Sequence, residues 1–185
     1  MKYKIGLIVG SLRKGAYSRL LAEATKEIAP ASMSFVDIGI GDLPLYNADL
    51  ETATAPPAWT TFRTLMAGSD GVLIVTPEFN RGMPGALKNA IDVGSRPWGH
   101  SVWNGKPAAV MSITPGPLGA MSAHQQVRLI LSTINSPVLP GPEVYMPGAA
   151  GLFNEAGKLV NEDTKKIILT LLQGFETWIA RFKRP

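Results

Sequence analysis

The chain has 185 residues, 45% hydrophobic and 17% charged, the balance of a globular protein able to bury one full core. It contains 0 cysteines, which excludes disulfides, thiolate metal sites and thiol redox chemistry, so any redox function needs a bound cofactor. The net charge of +4 favours small anionic ligands, and its scatter along the chain argues against a nucleic-acid surface.

In chain order, a strand is predicted over Tyr3 to Val9 (YKIGLIV), followed by a helix over Ser18 to Ala29 that Pro30 stops. A weaker strand is expected at Met33 to Ile38, then a helix over Trp59 to Ala67 opened by a Pro-Pro pair. Gly71 to Thr76 (GVLIVT) and Pro107 to Thr114 (PAAVMSIT) are continuous apolar runs, as strands covered on both faces require. A helix over Pro84 to Val93 lies between them, and another spans Ala120 to Ile134. A last weak strand is expected near Pro137 to Met146, before a helix over Glu162 to Phe182 with an acidic start and a basic end. Strand and helix alternate five times. The fold class is therefore α/β, a doubly wound five-stranded parallel sheet with helices on both faces, in a single domain over residues 1–185.

His100 and His124 lack metal-ligand spacing, so no metal is expected. Lys165 and Lys166, with Arg181, Lys183 and Arg184, read as a solvated helix face and tail. The apolar run Ile5 to Val9 is too short for a signal segment, and no stretch approaches the ~20 apolar residues of a membrane span. A cytoplasmic protein without membrane or nucleic-acid partners is expected.

Ligands of such sheets sit beyond the carboxyl ends of the strands. The first loop there, Gly10 to Ser18 (GSLRKGAYS), combines two glycines, the hydroxyls of Ser11 and Ser18, the guanidinium of Arg13 and a helix start. These donors suit a phosphate monoester. The loop matches neither GxxxxGK[ST] nor GxGxxG, and a plain turn in which Ser18 caps the helix is its bland alternative. After the third strand, Pro77-Glu78-Phe79-Asn80-Arg81-Gly82-Met83-Pro84 is a proline-stiffened loop with an aromatic face and an amide.

Ser11-Leu12-Arg13 with Ser18, then Pro77-Glu78-Phe79-Asn80, then Pro84 to Asp92 (PGALKNAID) with Ser95-Arg96, resembles the NAD(P)H-dependent FMN reductase family, most closely its chromate and quinone reductase branch. The resemblance runs from the first strand to about Glu143. It implies a flavodoxin-like fold with non-covalent FMN, NADH or NADPH as electron donor, and a homodimer or homotetramer. It implies that Ser11, Arg13 and Ser18 bind the FMN phosphate and that Pro77, Glu78, Phe79 and Asn80 line the flavin ring, largely through backbone. Thr114 and Gly116, in Thr114-Pro115-Gly116-Pro117-Leu118-Gly119, correspond to the small-residue loop at the other ring edge, with Gly116 and Gly119 allowing close approach. Three departures from the family pattern stand out: the motif is PEFN rather than PEYN, Arg81 follows it where an uncharged residue is common, and Thr114 replaces a more usual serine.

The implied function is transfer of electrons from a nicotinamide through FMN to quinones, flavins or metal oxyanions such as chromate. An electron-transfer flavodoxin and a non-redox phosphate-ester binder are the alternatives. No acid-base residue is named. Arg81 and Arg96 are candidates for drawing anionic substrates, while Lys88 reads as helix surface. Trp98, Trp103 and the helix from Ala120 to Ile134 are candidates for a subunit contact, with Arg128 and Glu143 an implied pair across it.

Overall fold

A computed structural model describes residues 2–182, so the expected basic tail at Lys183 and Arg184 lies outside the described residues. The chain runs β1 (Tyr3–Val9), α1 (Tyr17–Ile28), β2 (Met33–Asp37), α2 (Pro57–Ala67), β3 (Gly71–Thr76), α3 (Gly85–Gly94), β4 (Ala108–Ile113), α4 (Met121–Thr133), β5 (Val144–Met146) and α5 (Glu162–Phe182). The five strands form one parallel sheet in the order β2-β1-β3-β4-β5. Side chains alternate across each strand, so Leu73 and Val75 of β3 join one core while Val72 and Ile74 join the other. The first core packs α1 and α5 through Leu21, Leu172 and Phe175; the second packs α2, α3 and α4 through Trp59, Leu87 and Val127.

The final strand differs from its expected extent. Residues near Val138 pair with Ala108 at the start of β4, but Pro140 and Pro142 interrupt the ladder, leaving only Val144–Met146 as β5. Proline has no N–H to give a neighbouring strand, which is why the run divides there. Lys165 and Lys166 do lie on an exposed helix face, paired with Glu162 and Asp163 one turn away.

Trp103 is not a subunit-contact residue in this chain; it is fully buried in the second core. Its indole N–H donates to the Ile91 carbonyl at 3.1 Å, and a Cβ on Gly94 would stand 2.4 Å from that nitrogen. A large aromatic seated against a glycine, with its polar atom satisfied, is a core anchor. Trp98, by contrast, is 85% exposed. Trp103→Ala is expected to cost about 3–5 kcal/mol of unfolding free energy, and Trp98→Ala less than about 0.5 kcal/mol, read from urea unfolding curves.

Candidate functional site

Since β1 and β3 are neighbours, the loops that follow them leave the sheet side by side. Gly10 donates its N–H to the Val75 carbonyl at 2.9 Å, and a Cβ there would stand 3.2 Å from both Pro77 Cδ and Thr76 Oγ1. The first loop then turns on the Ser11 hydroxyl, which accepts the Arg13 N–H at 3.3 Å.

Ser18 lies inside the first turn of α1 rather than at its cap. The cap position is Ala16, which offers no side-chain acceptor, so the helix start keeps its N–H groups for another partner. The Ser18 hydroxyl is buried and has no hydrogen-bond partner. Leaving such a group unmatched costs about 1–3 kcal/mol, and a phosphate oxygen at the uncapped helix start would satisfy both.

The loop after β3 is held in a defined shape. Phe79 and Gly82 exchange N–H to carbonyl bonds at 2.9 Å in both directions, closing a two-residue turn. Its central residues, Asn80 at φ 50° and Arg81 at φ 63°, both occupy the left-handed region, the pattern of a type I′ hairpin turn. Asparagine tolerates that conformation, whereas arginine is strained in it.

The first two turns of α4 clamp this loop. Glu78 is nearly buried; one carboxylate oxygen accepts the Ala123 N–H at 3.1 Å and the other lies 3.4 Å from the Arg81 guanidinium. Gln126 accepts the Met83 N–H at 3.0 Å. Like α1, α4 begins without a side-chain cap of its own, and Glu78 supplies one from 45 residues away.

Thr114, after β4, donates its N–H to the Met146 carbonyl at 3.0 Å and accepts the Gly116 N–H on its hydroxyl. At Gly119, φ is +59° and a Cβ would stand 2.7 Å from Tyr145 Cβ, so its bareness also serves packing of the α4 entry on β5. No atom within 3.8 Å would obstruct a Cβ on Gly116, beside the site.

These elements enclose a cavity of about 340 Å³. Ser11, Arg13 and Ser18 form one side, Pro77, Glu78 and Phe79 another, and Thr114 lies at the far end. Tyr17, which the sequence reading did not single out, also lines it, stacked on Phe153 with ring centroids 6.2 Å apart. Asn80 and Arg81 occupy the exposed turn tip beside the cavity.

Arg96 is not brought to this cavity within one chain. It follows the carboxyl end of ten-residue α3, about 15 Å along the helix from the loop after β3, and lies over Trp98 at 5.4 Å in a separate depression. Lys88 pairs with Asp92 at 2.8 Å on the outer face of α3. Arg128 and Glu143, implied as a pair between subunits, meet within the chain at 3.4 Å.

His124, under the same α4 surface, packs edge-on against Tyr145 with centroids 4.6 Å apart, and neither ring nitrogen has a partner. Burial, helped by the Arg128 charge, lowers its pKa from 6.5 to about 4. The Tyr145 phenol is raised, by burial first and then by its 2.6 Å hydrogen bond to Glu143. That same bond, with Gln125, holds Glu143 below the ordinary carboxylate range.

A parallel sheet in 2-1-3-4-5 order, with a phosphate-sized cradle after its first strand and a rigid loop after its third, defines a flavodoxin-like cofactor-binding domain. The profile of the NADPH-dependent FMN reductase family matches residues 3–151, and the chain belongs to that family. A quinone reductase of Pseudomonas putida is 48% identical over 177 residues, 96% of this chain and 95% of that one. A 2-hydroxy-1,4-benzoquinone reductase of Burkholderia sp. is 39% identical, covering 97% of each. Among solved structures, the flavoenzyme NAD(P)H:(acceptor) oxidoreductase FerB of Paracoccus denitrificans superposes with a TM-score of 0.91 at 36% identity, over 97% of this chain and 98% of that one. The protein is thus an oxidoreductase that uses FMN and a nicotinamide donor.

Two predictions follow from these contacts. Ser18→Ala is expected to move two observables in opposite directions: flavin-free protein gains about 1 kcal/mol by losing an unmatched hydroxyl, while FMN affinity falls about tenfold, read by thermal unfolding and fluorescence titration. Because His124 is neutral when folded but has its ordinary pKa when unfolded, the unfolded chain binds the extra proton first on acidification. Stability should therefore drop by about 3 kcal/mol as pH falls from about 6.5 to about 4, and His124→Phe should flatten that slope in pH-dependent unfolding.

Proposed function

We propose that the protein passes electrons from NADH or NADPH through FMN to quinones, with free flavins and metal oxyanions such as chromate as further acceptors. The observation that carries the FMN placement is the buried, unpartnered Ser18 hydroxyl at an uncapped helix start, opposite the rigid loop of Pro77 to Asn80. Support for quinones comes from the two similar enzymes whose names specify them.

FMN, when bound, supplies the hydride acceptor and the electron store; the chain supplies position and charge. Ser11, Arg13 and Ser18 hold the phosphate, the arginine through charge-assisted bonds of about 1.5–3 kcal/mol each. Pro77, Glu78, Phe79 and Asn80 line the ring, and Thr114 with Gly116 serves its other edge. Glu78 acts by fastening this loop to α4, since its carboxylate is committed to Ala123 and Arg81. Arg81, on an exposed tip, adds positive charge beside the opening and raises the local concentration of anionic acceptors.

Residues 1–185 act in this reading as one FMN-binding domain. Its setting is cytoplasmic, where nicotinamide donors are supplied, and among the described residues no helix is long and apolar enough to cross a membrane. Self-association as a dimer or tetramer is supported by Leu118 and Met121, exposed apolar residues at the α4 entry.

A steady-state acceptor panel on FMN-loaded protein, run with both nicotinamides, tests the reaction; oxidation of the donor without any protein partner is expected. Absence of turnover with every quinone would overturn it. Arg81→Ala should raise KM for chromate about three- to tenfold more than for a neutral quinone, and equal effects would remove the role given to Arg81.

A further inference from the structure

The phosphate loop has two sides. Ser11 and Arg13 face the cavity already described, while Leu12 between them lines a different one; Ser18 faces the first cavity, and the next residue, Arg19, lines the second. A single segment of chain is therefore the wall between two adjacent cavities. The second measures about 300 Å³ and opens beyond the carboxyl ends of β1 and β2.

Three kinds of group meet there. Leu12, 54% exposed, lies against the loop from Gly39 to Gly41, where a Cβ on Gly41 would be 3.3 Å from its Cδ2. An apolar side chain beside a bare glycine backbone makes a flat shelf. The N–H groups of Gly39, Ile40 and Gly41 have no internal acceptor among the described residues. The third group is charge. Lys26 holds Asp37 at 2.8 Å and Glu23 at 3.0 Å. Burial works against its charge, but those two bonds outweigh the penalty and raise its pKa. Both carboxylates are thereby matched. Arg19 is exposed, and its guanidinium has no hydrogen-bond or ion-pair partner among the described residues.

A flat apolar shelf, free backbone donors and an unmatched guanidinium suit a purine nucleoside that carries a phosphate. On the reading of the first cavity as the flavin site, we propose that the second cavity seats the adenosine half of the dinucleotide donor. Leu12 lies beneath the base, and Arg19 binds the 2′-phosphate that distinguishes NADPH from NADH. The nicotinamide half then crosses the shared wall toward the flavin.

The test uses FMN-loaded protein, so that the phosphate loop is already occupied, and titrates 2′,5′-ADP and 5′-AMP by calorimetry. Wild-type protein should bind 2′,5′-ADP at least about tenfold more tightly than 5′-AMP, the yield of one charge-assisted contact. Arg19→Gln should abolish that difference and raise the ratio of NADPH KM to NADH KM by a similar factor. Leu12→Asp should weaken both ligands. Equal affinities in wild-type protein, an Arg19→Gln variant with the difference intact, or displacement of FMN by either ligand would overturn the proposal. Failure of the flavin reading itself would look different, as a protein that retains no FMN and cannot be prepared in the loaded form.

Discussion

The hydrogen bond from Gly10 to the Val75 carbonyl sets the geometry on which the site depends. It exists because β1 pairs with β3 rather than only with β2, so two loops far apart in the chain leave the sheet together. At that point there is no room for a side chain on residue 10 without displacing Pro77 or Thr76. The donors of the first loop and the rigid loop after β3 are thus brought within one cavity by backbone pairing, before any side chain contributes.

Around that junction the chain holds several groups at a cost. The Ser18 hydroxyl is buried without a partner, α1 begins uncapped, and Arg81 is held in the left-handed region. Features of this kind each cost about 1–3 kcal/mol and persist where the surrounding structure enforces them. Two buried sheets of contacts, on either side of the strands, supply that enforcement. A ligand that satisfies the hydroxyl and the helix start gains what the free protein lacks, which is how preorganisation becomes affinity.

Helix α4 joins the site to the rest of the second core. Its first turn gives the Ala123 N–H to Glu78, Gln126 one turn on accepts the Met83 N–H, its inner face buries His124 and Val127, and Gln125 and Arg128 reach Glu143 just before β5. The loop after β3 therefore cannot shift without disturbing the α4 start. This arrangement makes Glu78 a fastening group whose carboxylate is spent on protein rather than on ligand, and it gives the PEFN motif a structural reason for its acid.

Local pattern was enough for much of this protein. Apolar runs such as GVLIVT and PAAVMSIT announced buried strands, proline and glycine marked the helix entries, and the Ser/Arg-bearing first loop stood out by its donor types. Those signals are short-range, set by side-chain period and by backbone chemistry within a few residues. The tertiary structure alone decided whatever depended on distant pairing: Glu78 reaching Ala123, Gly119 yielding to Tyr145, Trp103 going to the core and Arg96 to the opposite end of α3. It also turned Arg19 and Leu12 into the lining of a second cavity. A sequence names the residues of a loop, but which way each one faces is settled only when the neighbouring strands and helices close around it.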